Sequence, residues 1–186
     1  VDSISVDDVP ADFSRRAHEL TIDPQVQLAA GDVFTTVIRY YGTPEPLTDP
    51  DLAFISQGWN NQEGTIFVVS EPGGAMTWYP SNNHPSDKAS YTMRVTVDAP
   101  NVVAANGVLA DTVEMGDQVT YTWEMAQPMA TYLATLAIGD FVRVEGPGPD
   151  GTLIRHYFPR EDAEALAEGF ANTGEMVGFY SDLIGP

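Results

Sequence analysis

The chain contains no cysteine, which removes disulfides, thiol catalysis and cysteine-ligated metal from consideration. Lys88 is the only lysine among eight basic residues, set against 27 acidic ones for a formal net charge of −19. Such a surface repels a phosphate backbone, which argues against nucleic-acid binding by a basic face. No apolar run approaches the ~20 residues that a membrane-spanning helix needs, so no span is expected. The opening residues, Val1-Asp2-Ser3-Ile4, lack the charged-then-apolar layout of a signal sequence and do not begin with Met. A start there and an end at Gly185-Pro186 lead us to expect a fragment of a longer protein.

Catalytic signatures are also missing. His18, His84 and His156 share no short spacing and form no His-Glu-x-x-His, so no metal site is expected in this chain. There is no Gly-x-Ser-x-Gly elbow, and Glu71-Pro72-Gly73-Gly74 lacks the Lys-Ser/Thr of a phosphate loop. Carboxylates are too many for a general acid and base to be singled out, so no catalytic residue is assigned. Trp59, Trp78 and Trp123 fall in separate segments, which weakens a carbohydrate platform and favours core packing for Trp123.

What is present is enough for one folded domain: 186 residues, 43% of them hydrophobic. The acidity serves solubility and would also suit a salty environment. A soluble chain is expected, with its compartment open between cytoplasm and secretion.

Most of the chain reads as short strands. From Tyr91 to Asp98 apolar and polar residues alternate, as they do from Val119 to Ala126, which is the period of a half-buried strand. Val108 to Glu114, followed by Met115-Gly116-Asp117, completes a hairpin with the second of these, and Asn106-Gly107 marks another tight turn. Further strands are expected in Val33–Tyr41, Thr65–Val69, Tyr132–Ile138, Phe141–Glu145 and Thr152–Tyr157. Thr43–Gly64, with Pro44, Pro46, Pro50 and Gly58, reads as an irregular excursion covering a sheet edge rather than a functional loop.

After Pro159 the period changes. Ala163, Leu166, Phe170, Thr173, Val177, Tyr180 and Ile184 recur at steps of three and four, which predicts one amphipathic helix over about Glu161–Leu183. Glu161, Asp162 and Glu164 suit its first turn. Gly169, Gly174 and Gly178 each weaken an isolated helix by ~1 kcal/mol, so packing must support it. The expected fold is therefore mainly β: an extended antiparallel sandwich or saddle-like domain with a carboxy-terminal amphipathic helix.

Trp78-Tyr79-Pro80 to Asp87-Lys88-Ala89-Ser90-Tyr91, then Asn106-Gly107-Val108-Leu109, Pro128-Met129-Ala130-Thr131-Tyr132-Leu133 and Gly139-Asp140-Phe141 occur in that order. Together they resemble the amino-terminal domain of the aminopeptidase N family of zinc metallopeptidases, the gluzincins, over about Val33–Tyr157. The chain departs from that pattern at Asn83, where the family often has Asp, and at Met76 or Thr77, where it often has a basic residue. Losing both leaves no unpaired charge and is what a divergent branch would show.

The resemblance implies that residues 1–159 form the β-domain with its earliest strands missing, and that 160–186 open a truncated catalytic domain. It implies a parent enzyme that removes amino-terminal residues from peptides with zinc held in that catalytic domain, on which this domain packs to wall the active site. One substrate-binding residue carries over. The family places Glu or Gln eight residues before the aromatic of its aromatic-Pro pair, where it holds the substrate's amino terminus; eight residues before Tyr79 is Glu71. An ordinary loop glutamate before Pro72 is the competing reading. Two other functions stay open: scaffold domain of a catalytically inactive relative, and a stand-alone β-sandwich binding module.

Overall fold

The computed structural model describes residues 1–48 and 56–185, and the chain clusters into two compact units. The first comprises Val1–Asn60, Val68–Ala89 and Met129–Ala134. It contains β1 (Ser3–Val6), β2 (Val9–Pro10), β3 (Asp12–Arg16), β4 (Glu19–Asp23), β5 (Thr36–Arg39), β6 (Leu47–Thr48) and most of β7 (Ser56–Gln62). β1 pairs antiparallel with both β2 and β5, with Ile4 opposite Ile38 and Val6 opposite Thr36. Alternation along β1 buries Ile4 and Val6. The β1–β2 turn is made by Asp7 and Asp8, both at positive φ, and the Asp7 carboxylate accepts the Thr35 amide at 2.8 Å. β3 and β4 form a separate antiparallel ribbon in register from Asp12–Asp23 to Arg16–Glu19, turning at Ala17-His18.

The second unit comprises Asn61–Phe67, Ser90–Pro128 and residues 135–186. Its strands are β8 (Thr65–Val69), β9 (Lys88–Asp98), β10 (Val102–Ala105), β11 (Val108–Met115), β12 (Gln118–Ala130), β13 (Leu136–Gly139), β14 (Phe141–Pro147) and β15 (Leu153–Pro159), with the ends of β8, β9 and β12 running outside it. β12 lies between β11 and β9, and hydroxyls of Thr96 and Thr120 meet across that sheet at 2.8 Å. β13 pairs with β10 and, through Ile138 and Ile66, with β8; β14 and β15 form a seven-pair hairpin. Trp123, Val103, Leu136, Ile138, Phe141 and Phe158 are the buried apolar residues of this unit. Each large side chain among them contributes ~1.5–3 kcal/mol of burial. The Trp123 indole also donates to the Val103 carbonyl at 3.2 Å, so its one polar atom is not stranded in the core.

The mainly β, antiparallel reading holds, as does the helical carboxy terminus. Strand positions are close for β8, β9, β11, β12, β14 and β15. Three expectations change. Ser56–Gln62 is a strand rather than part of an irregular excursion, and positions 49–55 of that segment lie outside the described residues. Thr131–Leu133 is a 3-10 turn, so the strand expected there begins only at Leu136. The predicted helix is two consecutive ones, α1 (Ala163–Gly169) and α2 (Thr173–Ile184). The break follows Gly169, where the Thr173 hydroxyl bonds the Phe170 carbonyl at 2.7 Å.

α2 packs on the rest of the chain through its glycines. Gly174 and Gly178, four residues apart on one face, lie against Ile154, Pro147 and Pro149, close enough that an added Cβ would meet them at 3.4–3.7 Å. Small residues there let the helix backbone approach the β14–β15 end. Met176, Val177, Phe179, Tyr180, Leu183 and Ile184 are left exposed.

Burial pushes the phenols of Tyr40, Tyr121 and Tyr157 above their ordinary value of 10.0. Glu114 adds to the effect on Tyr121 and Arg143 opposes it, while Arg143 and Arg155 draw Tyr157 partly back. In the unfolded chain these groups ionise near 10, so their contribution to stability is complete below that pH and is lost as pH rises through the raised folded values. Alkaline titration followed at 295 nm is expected to show part of the tyrosine absorbance appearing above pH 10.0, over the range in which stability falls. A single ionisation step near pH 10 with the dichroism intact would contradict this.

Candidate functional site

Glu71 stands at the head of the loop that follows β8, exposed, with its peptide bond to Pro72 in the cis form. The loop beneath it is held by its backbone. Gly74 is buried, and its amide donates to the Ser70 carbonyl at 2.7 Å. A Cβ on Gly74 would fall inside contact distance of the Gly58 amide nitrogen and the Val69 carbonyl oxygen, and 2.8 Å from the Gly58 Cα. Gly58 in turn has φ +87, and a side chain there would collide with Thr77. Two backbones therefore touch at Gly58 and Gly74 with no room for a side chain on either.

Side chains from β7 and the loop complete the clamp. Gln57 is 1% exposed, and its carbonyl oxygen accepts the Gly73 amide at 3.0 Å. Asn60, also buried, spends both amide hydrogens on the Ser56 and Gly58 carbonyls at 2.9 and 3.0 Å. The Thr77 hydroxyl donates to the Gly74 carbonyl at 2.8 Å, closing the 3-10 turn Gly74–Thr77. Trp78 donates its indole to the Ser70 hydroxyl at 3.4 Å and accepts the Tyr40 hydroxyl on its carbonyl at 3.0 Å. The result is a carboxylate projecting from a loop whose supporting turn has little freedom, which is what a fixed recognition group needs.

Gln57 and Asn60 carry no signal in the sequence: both are polar residues in a stretch with no alternation. The tryptophans were separated in sequence, yet Trp59 and Trp78 lie 6.2 Å apart and Trp78 meets Tyr79 edge-on at 4.6 Å. The histidines are not brought together. His18 turns the β3–β4 ribbon, His84 pairs its ring nitrogen with the Ser86 hydroxyl at 2.8 Å, and His156 stacks on Phe158 at 5.4 Å. No group of three or more His, Cys, Asp or Glu that could hold a metal ion occurs among the described residues. The described residues do not fit a zinc ion. No helix among the described residues is long and apolar enough to cross a membrane.

Comparison with known proteins places this fold among zinc metallopeptidases. A Deinococcus radiodurans M1 zinc metallopeptidase, solved as a mutant bound to a Tyr-Ser-Ala substrate, superposes with a TM-score of 0.82 at 27% identity, covering 100% of this chain and 44% of that one. The family model for the Peptidase M1 N-terminal domain matches residues 1–133, and the chain belongs to that family. Among curated proteins, the Caenorhabditis elegans putative aminopeptidase-2 is 26% identical over 192 residues, 98% of this chain and 10% of that protein. Acetobacter pasteurianus aminopeptidase N is 27% identical over 156 residues, 81% of this chain and 43% of its own length. The chain thus spans less than half of each of these relatives.

The Gly58–Gly74 contact leads to a direct expectation. Gly74→Ala must push two backbones apart and should destabilise the chain by about 1–3 kcal/mol or more. Gly146→Ala, where an added Cβ meets nothing within 4 Å, should change stability by no more than about 0.5 kcal/mol. Urea unfolding midpoints compare the two, and equal midpoints would contradict the contact.

Proposed function

We propose that the chain is the amino-terminal, non-catalytic domain of a longer zinc-dependent aminopeptidase that hydrolyses amino-terminal residues from peptides, and that Glu71 binds the substrate's α-ammonium group. The observation that carries this reading is the family match over residues 1–133, with Glu71 exposed on a loop clamped from below. A carboxylate held that way offers a charge-assisted hydrogen bond to an ammonium group, worth ~1.5–3 kcal/mol when shielded from water. The zinc ligands lie outside this chain, and the chain's own part is to wall the site and orient the peptide's amino end.

Residues 1–159 are then the β-domain, and 160–186 lead into the catalytic domain. The orientation of α2 supports this division. Its small residues face the β14–β15 end, and its large apolar residues, from Met176 to Ile184, face outward. A contiguous exposed apolar face of that kind marks an interaction surface, and the catalytic domain is its occupant in this reading.

In the full-length protein, Glu71→Ala removes the partner of the ammonium group and leaves metal binding untouched. The expected loss is about tenfold to a hundredfold in kcat/KM for peptides with a free amino terminus, and little change for amino-blocked ones. Equal losses on both classes would indicate general damage, and no loss on either would return Glu71 to an ordinary loop position. A full-length protein with no peptidase activity at all would favour the inactive scaffold.

A further inference from the structure

The first unit also contains an open cleft of about 560 Å³, within the ~300–1,000 Å³ of small-molecule sites. It is lined by Met76 to Pro80 but not by Glu71, so it lies apart from the ammonium-binding position while sharing its loop. Four rings line it: Tyr40, Tyr41, Trp78 and Tyr79. The Tyr40 hydroxyl is fixed on the Trp78 carbonyl and Trp78 packs edge-on against Tyr79, so three of the four are pre-positioned. Tyr41, by contrast, is 86% exposed, so core packing does not account for it.

Charges of both signs surround these rings. Arg15 and His18 come to the cleft from the β3–β4 ribbon, and Glu45 from the segment after β5. Arg15 donates its Nε to the Ala17 carbonyl at 3.2 Å, and its terminal guanidinium nitrogens have no partner among the described residues. Glu45 likewise forms no ion pair among the described residues. A cation and an anion face one cleft without neutralising each other, beside aromatic faces with room between them.

One ligand chemistry meets all three features. A carboxylate suits Arg15 and His18, an ammonium suits Glu45, and an aromatic ring suits the tyrosines and tryptophan. We propose that this cleft binds a free amino acid with an aromatic side chain. The binding rests on the cleft alone. Its use rests on the proposed function: an aminopeptidase releases such molecules, so an occupied cleft registers product away from the substrate position.

The test uses this chain, labelled with nitrogen-15, titrated with L-phenylalanine, L-phenylalaninamide and N-acetyl-L-phenylalanine. Saturable amide shifts are expected for L-phenylalanine, concentrated at positions 15–20, 40–45 and 76–80, with each blocked analogue about tenfold weaker or more. Arg15→Gln should weaken L-phenylalanine to the level of the amide in the wild-type chain without further weakening the amide. Glu45→Gln should do the same for the N-acetyl pair. Shifts concentrated at positions 15–20 and 40–45 rather than beside Glu71 separate this site from the proposed ammonium position. Both cleft variants replace exposed side chains, and an unchanged urea midpoint verifies their folding. The proposal is overturned by equal affinity for the three compounds, by variants that bind as the wild type does, or by no saturable shift up to about 20 mM, a limit well above a millimolar Kd.

Discussion

The contact on which the candidate site depends is the one between two backbones, at Gly58 in β7 and Gly74 in the following loop. Neither position has room for a Cβ, so the loop lies closer to the strand than any side chain would permit. Gln57 and Asn60 then satisfy the peptide groups that this approach buries. A buried amide left without an acceptor costs ~1–3 kcal/mol, which is why two buried polar side chains flank the glycine in the strand. Glu71 and Trp78 sit on either side of the pinned turn, so one constraint positions both the carboxylate and one wall of the aromatic cleft.

The carboxy-terminal helices solve a different problem. A helix that presented its large apolar residues to the β14–β15 end would stand off from it by a side-chain thickness. In α2 the glycines take that contact instead, and the apolar residues are turned outward. Helix propensity is given up at Gly174 and Gly178, and packing restores it. The arrangement makes one close contact within the chain and leaves a broad apolar face exposed.

The parts of this fold that were legible in the sequence are those whose burial follows a simple period. β9 and β12 alternate cleanly because one face of each is covered, and the Met115-Gly116-Asp117 turn between β11 and β12 is spelled out by its glycine. β7 was not legible, since its buried residues are Gln57, Gly58 and Asn60 and the usual apolar signal is absent. The short strands β1 to β4 went unread because two to five residues carry too little periodicity, and β3 is exposed throughout. The α1–α2 break was hidden because the three- and four-residue steps continue through Phe170 without interruption. Of the candidate site, Glu71 was reached by a count from Tyr79, whereas Gln57 had no sequence feature that could have indicated it. The cleft was equally hidden, since Arg15, Glu45 and Trp78 line one cleft only after folding.

The central claim is that the loop under Glu71 is rigidly fixed, and amide hydrogen exchange at Gly73 and Gly74 measures this most directly. Both amides are bonded, to Gln57 and to Ser70, so both should exchange as slowly as core strand amides, at rates set by the global stability of the chain. Exchange at either glycine as fast as in an unstructured peptide would contradict the account.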